Sequence, residues 1–192
     1  MLSTTSYRNV LTGFMMIQLS LMHGQLSATT LTLFDSSEDN QKKWRIVNDT
    51  VMGGRSNSSI THSPEDGTEF SGTVSLENYG GFASVRGPML QQDLSEYTGI
   101  EITVMGDGKR YACNLRTDGR FDGIAHRRGF ETTEGKWKTI RIPFTSFVPT
   151  FRGQRLPERM RLQPGRMMSV GFIISDKQEG PFSLKIKSIK AY

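Results

Sequence analysis

Two blocks of the sequence each place adjacent glycines beside short polar side chains and an arginine. Residues 48–56 read Asn-Asp-Thr-Val-Met-Gly-Gly-Arg-Ser, and residues 78–86 read Asn-Tyr-Gly-Gly-Phe-Ala-Ser-Val-Arg. Paired glycines suit tight turns, positive φ angles or the close approach of another backbone. The chemistry that these residue types support is binding, because neither block contains the ending of a phosphate loop or a catalytic constellation. We expect the two blocks to form one shaped surface.

Single residues of these blocks have both a binding and a structural interpretation. Asp49 could bind a ligand hydroxyl or a cation, but an aspartate beside an asparagine also commonly caps a turn by accepting backbone hydrogen bonds. Met52 could be an exposed contact, since methionine adapts to varied partners, or a plug at the edge of the core. The four glycines could admit a ligand or a partner backbone, or serve as ordinary turn residues. The sequence leaves these pairs of interpretations open.

Cationic and aromatic side chains outside the glycine pairs offer two further sites. Arg86, Arg116 and Arg152 could form a cationic recess that binds a carboxylate or a phosphate through paired N–H donors. Separate surface charges are the alternative. Trp44 and Trp137 could form a sugar-stacking platform, although core packing is the stronger interpretation for both.

Catalytic and metal-binding patterns are absent from the sequence. The three histidines belong to no HExxH motif, and no GxSxG or Ser-His-Asp arrangement can be drawn. The single cysteine, Cys113, excludes an intramolecular disulfide, and we predict it to be a small core residue. We therefore predict no enzyme, no cofactor and no metal site, while a structural calcium held by turn carboxylates stays open.

Charge and the N-terminal segment bear on partners and location. The chain has 192 residues and a formal net charge of +5, but no long basic run, and we predict no nucleic-acid partner. Residues 1–28 carry one formal charge, Arg8, and the mostly apolar run 10–22 is too short to span a membrane. With 26–28 (Leu-Ser-Ala) as a small-residue cleavage site, this segment predicts export to the periplasm or secretion. Mitochondrial import is the alternative, because the segment is rich in serine and threonine and lacks acids.

Short strand-like runs separated by turn residues fill the chain beyond residue 30. Alternating or continuous apolar runs occur at 30–34, 70–76, 82–85, 99–105, 111–115, 137–142, 169–175 and 182–189. Turn signals recur roughly every 8–15 residues, which is typical of an all-β sandwich or barrel. We predict an all-β jelly-roll β-sandwich with little helix, forming one domain over 29–192 after a leader at 1–28. The arginine- and proline-rich stretch 149–166 predicts a long loop.

Ordered landmarks along the chain identify a family. They are Trp44, the two glycine-paired blocks with the strand 70–77 between them, 106–111, Trp137, 142–144, 151–153, 171–172 and 180–184. In these motifs the chain closely resembles the complex I intermediate-associated protein family, over about residues 34–192.

The resemblance implies a galactose-binding-like sandwich and a role as a non-enzymatic, chaperone-like assembly factor of respiratory complex I (NADH:ubiquinone oxidoreductase). It implies a protein partner, with complex I assembly intermediates as candidates, and no cofactor. An exported carbohydrate-binding module with a glycan ligand is the alternative, because such modules share the sandwich. We predict a binding surface, called here the motif surface, that comprises Asp49, Met52, Gly53, Gly54, Ser56, Asn78, Gly80, Gly81, Arg86 and Arg152.

Overall fold

The computed structural model describes residues 29–36, 43–120 and 122–192. Within them the chain forms strands β1 (Leu31–Asp35), β2 (Arg45–Ile46), β3 (Asn57–Ser63), β4 (Gly67–Val74), β5 (Ala83–Gln92), β6 (Gly99–Gly106), β7 (Arg110–Arg116), β8 (Ala125–Glu131), β9 (Trp137–Pro143), β10 (Val148–Phe151), β11 (Gln154–Arg155), β12 (Met167–Ile174) and β13 (Gly180–Ala191). Short 3₁₀ turns lie at Asp49–Met52, Glu77–Tyr79, Phe144–Ser146, Glu158–Met160 and Pro164–Arg166. The described residues contain no α-helix.

The strands form two antiparallel sheets. One sheet has the order β3-β4-β13-β6-β9, with β1 also paired to β13. The other has the order β11-β10-β8-β7-β12-β5-β2. Buried apolar residues from both sheets form one core cluster, so the sheets pack face to face as a sandwich. The predicted all-β sandwich with little helix is confirmed.

Strand alternation divides the side chains of the seven-stranded sheet between its two faces. On β7, Tyr111, Cys113 and Leu115 are buried in the core, whereas Asn114 and Arg116 between and after them are only partly buried. Successive side chains of a strand point to opposite faces, so the polar residues of β7 lie on the outer face. This outer face is the floor of the site described below.

The predicted strand runs all coincide with observed strands, but the predicted long loop is partly wrong. Residues 149–166 include the end of β10, all of β11 and two 3₁₀ turns. Arg152 and Gly153 both have positive φ and join β10 to β11 in a two-residue hairpin, a geometry that suits the right-handed twist of paired strands. The predicted leader, 1–28, lies outside the described residues.

Candidate functional site

Both glycine-paired blocks are organised around the carboxylate of Asp49. Asp49 is buried, and it accepts hydrogen bonds from the backbone N–H and the hydroxyl of Ser56 at 2.9 and 2.5 Å. It also accepts backbone N–H bonds from Gly81 at 2.7 Å and Phe82 at 3.2 Å. The carboxylate therefore ties the first block to the second and to the start of β3. Burial raises the pKa of Asp49, but these hydrogen bonds favour the ionised form more strongly, and the pKa is lowered.

The two glycines of each pair have different structural roles. Gly53 and Gly81 have φ angles of +90° and +132°, which side-chain-bearing residues rarely adopt. A Cβ at Gly54 would stand 2.5 Å from Oδ1 of Asp49, and one at Gly80 would stand 2.7 Å from Oδ2. In each pair, one glycine supplies the backbone angle and the other makes room for the same carboxylate.

A contact between the blocks and an exposed apolar ledge complete this end of the molecule. The side-chain amide of Asn78 donates to the carbonyl of Gly53 at 3.3 Å. Val51 and Met52, in the 3₁₀ turn after Asp49, are 60% and 64% exposed. Tyr79 is fully exposed and has positive φ. The turns that enclose Asp49 thus present apolar side chains to solvent.

A cavity of about 530 Å³, called here the arginine groove, lies on the outer face of the seven-stranded sheet beside this ledge. Its apolar lining includes Val47, Val51, Met52, Phe82, Ala125 and Ile173, and its glycine lining includes Gly80, Gly81, Gly123 and Gly153. Its polar lining comprises Ser84, Arg86, Asn114, Arg116, Asp122, Arg127, Thr150, Arg152 and Ser175. Among the described lining residues, four arginines and one aspartate give a formal charge of +3.

Strand register builds the floor of the groove. Arg86 on β5 is opposite Gly171 on β12, which is opposite Asn114 on β7, which is opposite Arg127 on β8. The four positions therefore form one row across the sheet. Gly171 has no side chain, and a Cβ there would stand 2.4 Å from the carbonyl oxygen of Val85, so β5 and β12 approach closely at this point of the row.

Protein contacts hold three of the arginines in place. Arg116 donates to the carbonyl of Gly123 at 2.8 Å, and Arg127 donates to Oδ1 of Asn114 at 3.0 Å. Arg152 forms an exposed ion pair with Asp122 at 2.5 Å. A guanidinium carries five N–H donors, so each contact leaves donors for a ligand.

The floor arginines carry positive charges that repel one another, and burial lowers their pKa values. Burial and, to a lesser extent, the positive charges of Arg116 and Arg45 together lower the pKa of Arg86 to about 10, against an opposing effect of Asp122. Burial also lowers the pKa of Arg116 and of Arg127. The groove therefore holds positive charge in a place where solvent screens it poorly, and an anion bound there would relieve the repulsion.

The ten residues of the motif surface thus fall into two groups. Asp49, Gly54 and Ser56 are buried, Gly53 supplies a positive φ angle, and Asn78 links the two blocks, so these five shape the turns. Met52, Gly80, Gly81, Arg86 and Arg152 line the groove. The structure also brings Arg116 to Arg86 and Arg152, as the cationic-recess interpretation expects. Sequence patterns do not predict Arg127, Asn114 and Asp122 as groove residues, although alternation along β7 and β8 is a signal that places the first two on the outer face.

The two tryptophans lie apart. Trp44 packs edge-on against Phe34, with ring centroids 5.1 Å apart, and stacks on Phe172 of the core at 6.3 Å. Trp137 begins β9 at the edge of the six-stranded sheet, where Lys187 lies 5.6 Å from its ring centroid. Neither lines the arginine groove, so the two rings do not share a platform.

The described ranges, 29–36, 43–120 and 122–192, bear on metal binding and membrane insertion. No three histidine, cysteine, aspartate or glutamate side chains there gather in positions to hold a metal ion. Nor do those ranges contain a helix of the length and apolar character needed to cross a membrane.

Comparison with known families identifies the chain. Residues 32–186 match the model of the family described as Complex I intermediate-associated protein 30 (CIA30). The chain belongs to the CIA30 family. This match confirms the resemblance that the glycine-paired blocks and the other landmarks predict.

Curated CIA30 relatives extend beyond the matched region. The Complex I intermediate-associated protein 30, mitochondrial, of Mus musculus is 28% identical over 170 residues, which cover 78% of this chain and 52% of the relative. The protein of the same name from Neurospora crassa is 27% identical over 161 residues, which cover 74% of this chain and 58% of the relative. The chain therefore spans between half and three-fifths of the length of these two relatives.

Solved structures show the same fold as this CIA30 chain. The family 11 carbohydrate-binding module from Clostridium thermocellum, in complex with a β-1,3-1,4-mixed-linked tetrasaccharide, superposes with a TM-score of 0.62 at 20% identity. The superposition covers 86% of this chain and 96% of the module. At this identity, the likeness establishes a shared β-sandwich and does not extend to the ligand.

Proposed function

We propose that this CIA30 chain is a non-enzymatic binding protein that assists the assembly of respiratory complex I through a protein partner. The observation that carries the proposal is the family match over residues 32–186, which covers both glycine-paired blocks and most of the sandwich. The names of the curated relatives associate them with complex I intermediates.

The geometry supports a binding role for the motif surface. The polar atoms of Asp49 and Ser56 form hydrogen bonds within the turns, whereas Met52, Arg86 and Arg152 line the groove. A rigid frame under an exposed apolar and cationic rim is suited to contact with another protein, since methionine and arginine are enriched at such interfaces. No catalytic role is proposed for any of these residues.

The test is capture of the partner from native membranes. The tagged chain would be expressed in its own host, purified from gently solubilised membranes, and its captured proteins identified by mass spectrometry. We expect enrichment of NADH:ubiquinone oxidoreductase subunits over a tag-only control. Deletion of the gene is expected to deplete mature complex I on native gels. Normal complex I levels without the gene, together with no enrichment of its subunits, would reject the proposal.

Variants of the surface test its position. Met52→Glu places a charge on the exposed rim without disturbing the frame, and we expect it to reduce capture of complex I subunits severalfold. Gly54→Glu is a poor probe, because its side chain would collide with Asp49. Thr139→Glu, on the exposed side of β9 in the other sheet, is the control and should capture the same subunits as the unsubstituted chain.

The location of this function is part of the proposal. Relatives that carry the name mitochondrial favour import into mitochondria over the predicted export. The measurement is the mature N-terminus of the protein isolated from each cell fraction. Processing near residue 28 in an exported fraction alone would reject a mitochondrial site of action.

The predicted glycan alternative has a defined test. Because Trp44 packs against the core and Trp137 lies on the other sheet, the stacking platform expected of that alternative is not formed by these two residues. Binding of a mixed-linked tetrasaccharide by the purified chain, with no capture of complex I subunits, would favour the glycan alternative.

A further inference from the structure

We propose that the arginine groove binds an acidic peptide segment in extended conformation. The proposal rests on the proposed function, because that function makes the ligand a protein. It goes further by naming the chemistry of the segment and the four arginines that recognise it: Arg86, Arg116, Arg127 and Arg152.

The dimensions of the groove favour a chain over a compact ligand. Its lining comes from five neighbouring strands, β5, β12, β7, β8 and β10. Neighbouring strands lie about 4.8 Å apart, so the floor extends about 19 Å across the sheet. An extended peptide advances about 3.3 Å per residue, so five or six residues would cover this length.

The spacing of the floor arginines matches alternate side chains of such a peptide. Arg86 and Arg127 stand at opposite ends of a row that crosses three strand intervals, or about 14 Å. Side chains on one face of an extended peptide recur about every 7 Å, so residues i and i+4 stand about 14 Å apart. A carboxylate at each of these positions would face an arginine.

The charge of the groove selects an anionic segment. The part of its lining that the structure describes carries four arginines and one aspartate, Asp122, which pairs with Arg152 at the exposed end. Arginine binds carboxylates through two parallel N–H bonds. Arg116 and Arg127 are already oriented by Gly123 and Asn114, so little ordering is needed when a carboxylate arrives.

The rest of the lining favours a peptide over other anionic chains. Single-stranded nucleic acids are bound by stacking bases on exposed aromatic rings, and sugars also stack on rings. Phe82 is the one aromatic residue among the described lining positions. The apolar ledge formed by Val51 and Met52 borders the groove and can instead receive aliphatic side chains that alternate with the acids.

Fluorescence anisotropy with the purified full chain tests the proposal. The probe is a fluorescein-labelled peptide of eight residues that alternates glutamate and alanine, and the matched peptide has glutamine in place of glutamate. We expect the glutamate peptide to bind at least tenfold more tightly than the glutamine peptide. Added NaCl is expected to weaken the binding of the glutamate peptide but not that of the glutamine peptide, because salt screens charge pairs.

Paired variants assign the binding to the groove. Arg116→Gln combined with Arg127→Gln removes two positive charges from the floor of the groove. We expect this variant to bind the glutamate peptide at least tenfold more weakly. Lys136→Gln combined with Lys187→Gln removes two exposed charges on the side of the six-stranded sheet and is expected to change affinity less than twofold. Thermal unfolding checks that each variant folds. If the floor variant does not fold, Arg152→Gln at the exposed rim replaces it, with an expected loss of at least threefold.

Three results would overturn the proposal. They are equal binding of the two peptides, equal losses in the floor variant and its control, and tighter binding of an oligogalacturonate or a single-stranded oligonucleotide than of the glutamate peptide. The peptide assay tests the groove assignment, and the membrane capture tests the complex I role, so one can give a negative result without the other. Capture of complex I subunits without peptide binding would reject the groove assignment alone, whereas peptide binding without such capture would reject the complex I role alone.

Discussion

The ionised carboxylate of Asp49 is the single group on which both glycine-paired blocks depend. It is buried and accepts hydrogen bonds from Ser56, Gly81 and Phe82. Those donors lose their partner if the side chain becomes an amide that presents its own N–H groups to them. The cost of unpaired buried donors therefore decides the effect of substitution.

We expect Asp49→Asn to lower the free energy of unfolding by about 3 kcal/mol at pH 7. Because the folded pKa of Asp49 is lowered from 3.8, its contribution is fully present above pH 3.8 and is lost as the pH falls towards the folded pKa. The difference between variant and parent should therefore shrink in acid. Urea unfolding at pH 7 and pH 3 measures this. Asp93→Asn, at an exposed turn, is the control, and an equal loss in both variants would contradict a special role for Asp49.

A double-mutant cycle tests the close approach of Gly54 to the same carboxylate. Gly54→Ala alone should destabilise the protein by about 2 kcal/mol, because the new Cβ would stand 2.5 Å from Oδ1 of Asp49. In an Asp49→Ala background most of the colliding atoms are gone, so the same change should cost less than half as much. Equal costs in the two backgrounds, measured by urea unfolding, would mean that backbone strain and not the carboxylate requires Gly54.

At the scale of elements, the β10–β11 hairpin combines strain with the proposed binding role. Arg152 and Gly153 occupy a two-residue turn with φ angles of 48° and 79°. Positive φ is costly for arginine but is tolerated by asparagine, and Asn-Gly is the favoured pair for such turns. Arginine at this position therefore supplies a positive charge to the groove, although its backbone conformation favours asparagine in the turn.

The variant Arg152→Asn separates the effect of this residue on the turn from its effect on peptide binding. We expect the stability of the variant to equal or exceed that of the parent, because relief of turn strain offsets the loss of the exposed ion pair with Asp122. Binding of the glutamate peptide should fall at least threefold. Thermal unfolding and fluorescence anisotropy on the same preparations measure both effects. A clear loss of stability with unchanged peptide binding would show that Arg152 acts in the turn and not in the groove.

Strand alternation explains which elements could be predicted from the sequence. Strands with apolar residues at every second position, such as β6 and β9, coincide with predicted runs. β8 lies outside the predicted strand runs, because its sequence Ala-His-Arg-Arg-Gly-Phe-Glu is largely polar. Its groove face carries Ala125 and Arg127, whereas its other face contributes His126 and Phe130 to the interior. Neighbours on both sides of the sheet, more than local propensity, make this segment a strand.

At the scale of the whole molecule, the sandwich isolates its single thiol. Cys113 lies on β7 between the sheets and is fully buried, and burial raises the pKa of the thiol well above its ordinary value. Both effects suppress reaction with alkylating reagents in the folded state. As the sequence contains one cysteine, thiol labelling reports on the opening of the core alone.

We expect iodoacetamide to leave the native protein unlabelled at pH 8 and to label one site when the protein unfolds. Labelling measured by mass spectrometry across a urea titration should follow the same transition as tryptophan fluorescence, to which Trp44, packed against the core, contributes. Labelling at a urea concentration well below the fluorescence transition would instead reveal a local opening of the seven-stranded sheet. A Cys113→Ser variant provides the unlabelled control.

Residue patterns along the chain are enough to predict the fold class and the family. Alternating apolar residues have the period of strands, and the glycine-paired blocks are specific enough to mark the family, because each needs glycine for a local backbone reason. Arg86, Arg116 and Arg152 could be suspected as one recess, but their distances along the chain left separate surface charges equally open. The sequence likewise left Asp49 between a ligand-binding and a turn-capping interpretation.

The contacts that these residues make depend on the tertiary structure. Antiparallel register brings Arg86, Asn114 and Arg127 from three strands into one row, and the turn at Arg152 closes its end. The fold likewise directs Asp49 inward to four protein donors. Such contacts depend on which strands are neighbours and in which register. That choice reflects packing across the whole sandwich, which local residue patterns do not encode.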